Sequence, residues 1–304
     1  MTAALPAGRR RWRGRHTVLA FVLPGLLYLL LLGLYPLVNL VQMSLSDVTA
    51  RNIASSAWSL VGLHNFSRVL ASPSFAATVP NTLIFVAIVF VLGMAGGLAG
   101  AVALESPGWL SQVVLGLMVF IWAMPPVVLG GIWKFILLPQ GLANAVAGWF
   151  GVNHASDPIL WLVWRPFALL SVAVVNGWAI IPFGTLVYRA ALMDVPKEIL
   201  EAAAIDGASP WQQFLRIKFP ILRPVTLILA VLTLVYAFRS FDFIYVMTYG
   251  GPGVSTSTVP FYSYLESFAQ FRFGLGAAVA VLTVLVVAVL SVVYVRATRG
   301  AEGG

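Results

Sequence analysis

Six long apolar stretches dominate the chain. Each is long enough for a helix to cross the hydrocarbon core of a bilayer, which takes about 20 residues. Because only helices and closed barrels satisfy their backbone groups in lipid, this pattern predicts an all-α integral membrane protein with six spans. The predicted spans are approximately Thr17–Val41, Pro80–Leu104, Gln112–Trp133, Pro166–Tyr188, Val225–Met247 and Phe273–Val295. Prolines inside the spans predict kinks at Pro24, Pro36, Pro125, Pro126 and Pro182.

Composition excludes a large soluble domain. The 304 residues are 60% hydrophobic and 9% charged, whereas soluble domains carry about 25% charged residues. The absence of cysteine excludes disulfides, thiolate metal sites and cysteine nucleophiles. The histidines His16, His64 and His154 are scattered without companion ligands at metal-site spacing. The sequence therefore predicts neither a metal site nor a catalytic site.

The placement of the basic residues predicts an orientation. An even number of spans puts both termini on one side, and 12 of the 18 Lys and Arg residues fall on that side against 5 on the other. The positive-inside rule makes that side cytoplasmic, and the net charge of +8 indicates contact with anionic lipid rather than nucleic acid. We expect a basic cytoplasmic tail over residues 1–16, a six-span domain over 17–296 and a cytoplasmic C-terminal tail over 297–304. A cleaved signal peptide is disfavoured because the first apolar stretch is too long and lacks a cleavage site.

The most polar sizeable stretch, EILEAAAIDGASPWQQFLRIKFP, lies between the fourth and fifth spans at residues 198–220. Asp194 is predicted to cap a short helix that Gly207 ends. Ser209 is predicted to start a second helix through a capping box, and Pro220 to end it before the next span. This gives a helix–glycine–helix hairpin on the cytoplasmic side. On physical grounds alone, an ordinary interfacial hairpin and a docking element remain equally open.

The segment EAAAIDGASPWQQFLRIKFPIL resembles the EAA signature of permease subunits of ATP-binding cassette (ABC) importers. Four further segments resemble sugar permeases of the maltose and glycerol-3-phosphate type: Leu60–Leu70, Met124–Gly148, Asn176–Ala203 and Phe241–Thr258. The resemblance implies the type I importer permease fold, with a cytoplasmic coupling helix in the loop of about residues 190–220. It also implies coupling to an ATPase through Glu201, Ala202, Ala203, Asp206 and Gly207.

The same resemblance implies the partners. They are a second six-span permease forming a heterodimer, two ATPase subunits and an extracytoplasmic substrate-binding protein, all at a bacterial or archaeal cell membrane. The chain itself has no phosphate-binding loop, because Lys134, Lys197 and Lys218 do not follow glycine. We therefore expect no cofactor in this chain, no enzymatic activity of its own, and ATP and Mg²⁺ on the ATPase subunits.

Arg239 and Asp242 are the only charged residues within a predicted span. Intramembrane charges mark functional sites by default, but residues three apart share a helix face and can simply neutralise each other. The resemblance implies a second reading, in which the fourth and fifth spans line the substrate pathway. Its residues would be Asn176, Ala179, Ile180, Phe183, Phe238, Arg239 and Asp242.

The substrate implied by the resemblance is a carbohydrate. The alternative is glycerol-3-phosphate or a glycerophosphodiester, whose phosphate Arg239 would bind while the nearby Asp242 would repel it. Two other classes remain as minor alternatives. An ion-coupled secondary transporter would use Asp242 as its lone intramembrane carboxylate. A membrane-embedded enzyme would need paired ionisable residues at one depth, and only Arg239 with Asp242 qualifies. The glycines Gly93, Gly96, Gly97 and Gly100 of the second span are interpreted as helix-packing positions.

Overall fold

The computed structural model describes residues 21–55, 57–154, 156–165 and 167–302. The predicted basic tail over residues 1–16 lies outside this part of the chain. Five of the described helices are long and apolar enough to cross a membrane, and the number is six when a bent pair of helices is counted as one span. The all-α membrane architecture predicted from the apolar stretches is thus confirmed.

The first span, α1, covers Phe21–Ser44 and contains a π-helical turn at Leu30–Leu34. This turn directly precedes Pro36, where a kink is predicted, and the backbone N–H of Tyr35 reaches back to the carbonyl of Leu30. Two short strands follow, β1 at Ser46–Asp47 and β2 at Ser59–Leu60. They pair antiparallel in the register Ser46↔Leu60 and Asp47↔Ser59. Helix α2 covers His64–Leu70.

Helix α3 covers Pro73–Ala103 and therefore begins before the predicted Pro80. The earlier start has a local cause: the hydroxyl of Ser72 accepts a hydrogen bond from the Phe75 backbone N–H, and Pro73 occupies the first turn. Pro80 lies inside the helix without ending it.

The third predicted span, Gln112–Trp133, is wrong as a single helix. It consists of α4, Trp109–Ala123, and α5, Pro126–Ile136, which are bent by 104° relative to each other. Met124 and Pro125 between them are extended, with ψ values of 139° and 133°. The physical cause is the Pro125–Pro126 pair, because a residue that precedes proline is pushed out of the helical region. Helix α6, Leu142–Trp149, follows.

The second half of the chain continues with α7, Phe167–Met193, α8, Lys197–Ile205, and α9, Pro210–Gln213. We call residues 197–213 the elbow. A π-helical turn at Phe214–Lys218 leads directly into α10, Phe219–Arg239. The prediction that Pro220 ends a helix is therefore wrong: Pro220 lies near the start of α10, and the helical run continues through it from the π-helical turn.

A break at Ser240 separates α10 from the short helix α11, Asp242–Met247, so the fifth predicted span is also discontinuous. Helix α12, Val259–Tyr264, runs into a third π-helical turn at Leu265–Ala269. The last helix, α13, covers Phe273–Glu302. The predicted C-terminal tail therefore begins as a continuation of the last span.

Helices α3 and α7 pack closely along an extended contact, and glycines make the approach possible. A Cβ added at Gly97 would lie 2.9 Å from the backbone of Gly184, and one added at Gly100 would lie 2.5 Å from the hydroxyl of Thr185. Around this contact, Phe85 and Val89 of α3 pack with buried residues of α7 in the main apolar core. The interpretation of the second-span glycines as packing positions is confirmed.

The two ends of the bundle differ in construction. At one end, which we call the elbow end, α7 stops and α10 begins, and Ala101, Tyr188 and Leu222 are buried together. At the opposite end, Val69 of α2 packs against Tyr262 of α12 and the first turns of α13. The Asn65 side chain donates hydrogen bonds to the carbonyls of Ser44 and Ser46, which fixes the connection after α1.

We predict that Gly97→Ala destabilises the bundle by about 1–3 kcal/mol, because the new methyl group meets backbone that cannot rotate away. Thermal unfolding of the purified protein in detergent measures the effect. The matched control is Gly116→Ala on α4, where an added Cβ meets nothing within 4 Å. Equal unfolding temperatures for the two variants would contradict the close α3–α7 contact.

Candidate functional site

The elbow is built around a tightly ended helix. Helix α8 finishes with two bonds, from the Ala208 N–H to the Ala203 carbonyl at 2.9 Å and from the Gly207 N–H to the Ala204 carbonyl at 3.0 Å. Gly207 itself has φ +82°, and an added Cβ there would meet nothing within 4 Å. Glycine is therefore needed at this position for its left-handed backbone rather than for space. This ending is the one predicted from the sequence.

The start of α8 differs from the prediction. Its N-cap residue is Pro196, which offers no side-chain acceptor, so the assignment of Asp194 as the cap is wrong. Helix α9 begins as predicted, because the Gln212 N–H bonds to the Ser209 hydroxyl while the Gln212 side chain accepts from the Ser209 N–H. The fixed end of α8 and the capped start of α9 hold the turn between the two helices.

The five predicted coupling residues lie together on the elbow. Glu201, Ala202, Asp206 and Gly207 are exposed, and Ala203 is half-buried. Between them Ile205 projects with 87% of its surface exposed. A recess of about 460 Å³ beside the turn is lined by Ala203, Asp206, Gly207, Ala208, Gln212, Gln213, Arg216 and Ile217. The surface thus combines small residues, exposed carboxylates and the exposed apolar side chains of Ile199, Ile205 and Trp211.

A second site lies where the two helix breaks meet α7. A cavity of about 440 Å³ is lined by Ile121, Trp122, Met124, Pro126, Leu129, Ala179, Ile180, Phe183, Leu232, Tyr236 and Phe243. We call it the central cavity. The ring of Trp122 stacks on Phe183 with centroids 5.8 Å apart. Ala179, Ile180 and Phe183, three of the predicted pathway residues, form part of its wall.

Two further predicted residues are buried and lie outside this lining. Asn176 is fully buried, and its side-chain amide donates a hydrogen bond to the hydroxyl of Ser240 at the break between α10 and α11. The side-chain carbonyl of Asn176 has no hydrogen-bond partner among the described residues. Phe238 is buried beside the same break. Both residues therefore support the break rather than line the cavity.

The prediction that Arg239 and Asp242 share one helix face is wrong. The helix stops at Arg239 and a new one starts at Asp242, because Ser240 is extended with ψ 125°. Arg239 is exposed and Asp242 is half-buried. Within the described part of the chain, ion pairs join Lys218 to Glu105 and Arg272 to Glu266, and none joins Arg239 to Asp242.

Sequence reasoning missed the part of the central-cavity wall that is formed by residues next to the two helix breaks. Trp122, Met124 and Pro126 face the cavity because of the bend at Pro125, and Tyr236 and Phe243 flank the second break. The Pro125–Pro126 pair was a usable signal for the first break. Ser240, placed between Arg239 and Asp242 in an otherwise apolar stretch, was the signal for the second. No group of metal-ligating side chains occurs among residues the structure describes.

Comparison with known proteins decides the family. Residues 93–301 match the family described as "Binding-protein-dependent transport system inner membrane component". The chain belongs to this family. It is therefore a multi-pass inner-membrane permease subunit of an ABC importer, and a separate chain hydrolyses ATP. Permeases of this family work with a second permease, ATPases and a substrate-binding protein.

Several relatives align with most of the sequence of this permease. It is 32% identical to the trehalose/maltose transport system permease protein of Thermococcus litoralis, over 79% of this chain and 80% of the relative. It is 30% identical to the diacetylchitobiose uptake system permease protein of Streptomyces coelicolor, over 88% and 81%. It is 31% identical to the sn-glycerol-3-phosphate transport system permease protein of Pectobacterium atrosepticum, over 97% of each chain.

A solved structure confirms the fold of the permease. A chain of a bacterial ABC transporter involved in the import of the acidic polysaccharide alginate superposes with a TM-score of 0.80. The match covers 94% of this permease and 96% of that chain at 21% identity. The type I importer permease fold implied by the sequence resemblance is thus confirmed.

We predict that Gly207→Ala loosens the elbow, because a side chain in the left-handed region costs about 1–2 kcal/mol. Hydrogen–deuterium exchange of a peptide covering residues 197–213 should accelerate by about five- to thirtyfold. Gly207→Asn should have a smaller effect, since asparagine tolerates this backbone region. Indistinguishable exchange in the alanine, asparagine and wild-type proteins would contradict the role given to Gly207.

Proposed function

We propose that this permease carries a carbohydrate through the central cavity, driven by an ATPase that docks on the elbow. The observation that carries the proposal is the elbow itself. It consists of two short helices, α8 and α9, whose connecting turn is fixed by Gly207 and the capping box at Ser209, and it lies exposed at one end of the bundle. Helix α9 runs without interruption through the π-helical turn into α10. A rigid element of this kind transmits a displacement to the helix that it continues into.

The elbow end is proposed to face the cytoplasm. The connection that contains the elbow carries five basic residues, Arg189, Lys197, Arg216, Lys218 and Arg223. Such an excess in a short loop is typical of the cytoplasmic side. The same orientation places both termini in the cytoplasm and puts α2 and α12 on the outer side.

Each coupling residue has a proposed role. Glu201 and Asp206 present carboxylates to basic side chains of the ATPase. Ala202 and Ala203 leave little side chain, so the ATPase surface approaches the helix backbone closely. Gly207 sets the turn that keeps α9 beside α8. ATP and Mg²⁺ are held by the two ATPase subunits, and this chain contributes no cofactor ligand.

The central cavity is proposed as this subunit's half of the substrate pathway. Trp122 and Leu232 in its wall are 52% and 50% exposed, so this chain leaves one side of the cavity open. A second six-span permease, forming a heterodimer, would close that side. A loaded extracytoplasmic binding protein would deliver the substrate from the end that holds α2 and α12.

A neutral carbohydrate suits the cavity better than an anion. Its wall is uncharged and includes Trp122, Phe183 and Tyr236, whose rings offer apolar faces and one hydroxyl to a sugar. The relatives named for trehalose/maltose and diacetylchitobiose support this choice. The remaining pathway candidates, Asn176, Phe238, Arg239 and Asp242, would act at the break next to the wall.

Glycerol-3-phosphate is the second candidate substrate. It is favoured by the exposed guanidinium of Arg239 and by the relative named for sn-glycerol-3-phosphate transport. Against it, Arg239 does not line the central cavity, whose wall carries no charged side chain. We therefore place this candidate behind a neutral carbohydrate.

We predict that a Glu201→Ala, Asp206→Ala double variant loses its ATPase in mild detergent, because both exposed carboxylates of the docking surface are removed. Co-purification of the ATPase subunits and their hydrolysis rate are measured beside the wild type. Asp194→Ala is the matched control, since Asp194 is exposed but lies outside the elbow. Full retention of coupled ATPase by the double variant would contradict docking at these carboxylates.

We predict that the reconstituted transporter takes up labelled maltose, trehalose or diacetylchitobiose and that sn-glycerol-3-phosphate does not compete. Phe183→Ala should raise the KM for the transported sugar about tenfold through lost contact in the cavity. Phe120→Ala on α4 is the control, because Phe120 is exposed outside the cavity. Uptake of sn-glycerol-3-phosphate that depends on Arg239 would instead establish the second candidate.

A further inference from the structure

The loop between α3 and α4, residues 104–108, is bonded by two basic residues, one just before the elbow in the sequence and one just after it. The ammonium group of Lys218 lies 2.6 Å from a carboxylate oxygen of Glu105. The Nε of Arg189 donates a hydrogen bond to the carbonyl of Leu104 at 3.0 Å. Arg189 lies shortly before the elbow along the chain, and Lys218 lies shortly after it. The two residues that flank the elbow therefore hold neighbouring residues of one loop.

The Lys218–Glu105 pair is better sheltered than a surface ion pair. The Lys218 side chain is 16% exposed and that of Glu105 is 34% exposed. Fully exposed pairs are screened by water and lose side-chain entropy, so they rarely fix a geometry. A partly sheltered, charge-assisted contact at this distance does restrict both side chains.

The Arg189 bond holds the other side of the same loop. Leu104 is the C-cap of α3, and its carbonyl is one of the acceptors that a helix leaves unpaired at its C-terminus. A guanidinium group at this position also interacts favourably with the negative end of the helix dipole. Arg189 thereby joins the end of α7 to the end of α3, beyond the glycine contact between these helices.

We propose that Glu105, Lys218 and Arg189 form a clamp that carries displacement of the elbow into α4. The loop leads directly into α4 at Trp109, and the far end of α4 supplies Trp122 and the bend at Met124 to the central cavity. The clamp thus gives the elbow a second route to the cavity, in addition to α10. The three side chains are positioning residues and contact no substrate. This inference rests on the proposed function, because it requires an ATPase at the elbow.

The test measures hydrogen–deuterium exchange in the complete transporter in nanodiscs, with and without ATP and orthovanadate. Two peptides are followed, one covering the elbow at residues 197–213 and one covering the loop at residues 104–109. We expect both to change on addition of nucleotide in the wild type. Glu105→Gln and Lys218→Met should leave the nucleotide-induced change in exchange of the elbow (the elbow response) intact. They should reduce the corresponding change in the loop (the loop response) by about two- to fivefold, which is the size of effect expected from losing a partly exposed ion pair.

Two further variants make the result specific to the clamp. The charge swap, Glu105→Lys with Lys218→Glu, should restore the loop response. A variant whose loop response was reduced only by lost overall stability would not recover it on the swap. Arg223→Met removes a basic residue of the same connection that is exposed and has no ion-pair partner among the described residues. It should leave both responses unchanged.

The outcomes separate the two proposals. An elbow that does not respond to nucleotide in the wild type contradicts the proposed function. A responding elbow with an unresponsive loop overturns the clamp alone, and so does a loop response that survives both single substitutions. Should either single variant fail to assemble with the ATPase, Lys218→Arg and the charge swap supply the comparison, and loss of the loop response in both overturns the clamp.

Discussion

The need to satisfy every backbone N–H and C=O group in hydrocarbon governs this structure. Continuous helices meet that need by themselves, but a broken helix does not, so a break is tolerated only against protein or water. Two such breaks occur in the part of the chain that the structure describes, at Met124–Pro125 and at Ser240. Both border the central cavity beside α7, whose buried Asn176 bonds to Ser240 at the second break. The location of the cavity follows from this constraint.

The rest of the bundle provides the rigid frame that the breaks require. Glycines of α3 allow its backbone to touch that of α7, so these two helices behave as one unit. Arg189 and Lys218, which flank the elbow along the chain, bond to the loop at the end of α3, and the elbow continues into α10. In the mechanism we propose, motion imposed at the elbow reaches the cavity through these packed helices and short bonds, so that each end of the bundle influences the other.

Much of this architecture could be predicted from the sequence, because apolar length and helix-ending residues are local signals. The membrane-spanning helices, the turn at Gly207 and the capping box at Ser209 are confirmed, although the third predicted span is bent and the fifth is broken. The break at Ser240 and the separation of Arg239 from Asp242 could not be predicted from helical spacing, which assumes an uninterrupted helix. The cavity wall was only partly predictable, since Trp122 and Tyr236 come together through tertiary packing.

Accessibility of single cysteines tests most directly whether the two breaks form a substrate path. The chain contains no cysteine, so variants at Ala179 and Tyr236 in the cavity and at Leu285 on the exposed side of α13 each report one position. A membrane-impermeant thiol reagent is applied to the working transporter in vesicles. We predict labelling at the two cavity positions, blocked by the transported sugar, and none at position 285. Unlabelled cavity positions, or labelling that the sugar does not affect, would contradict it.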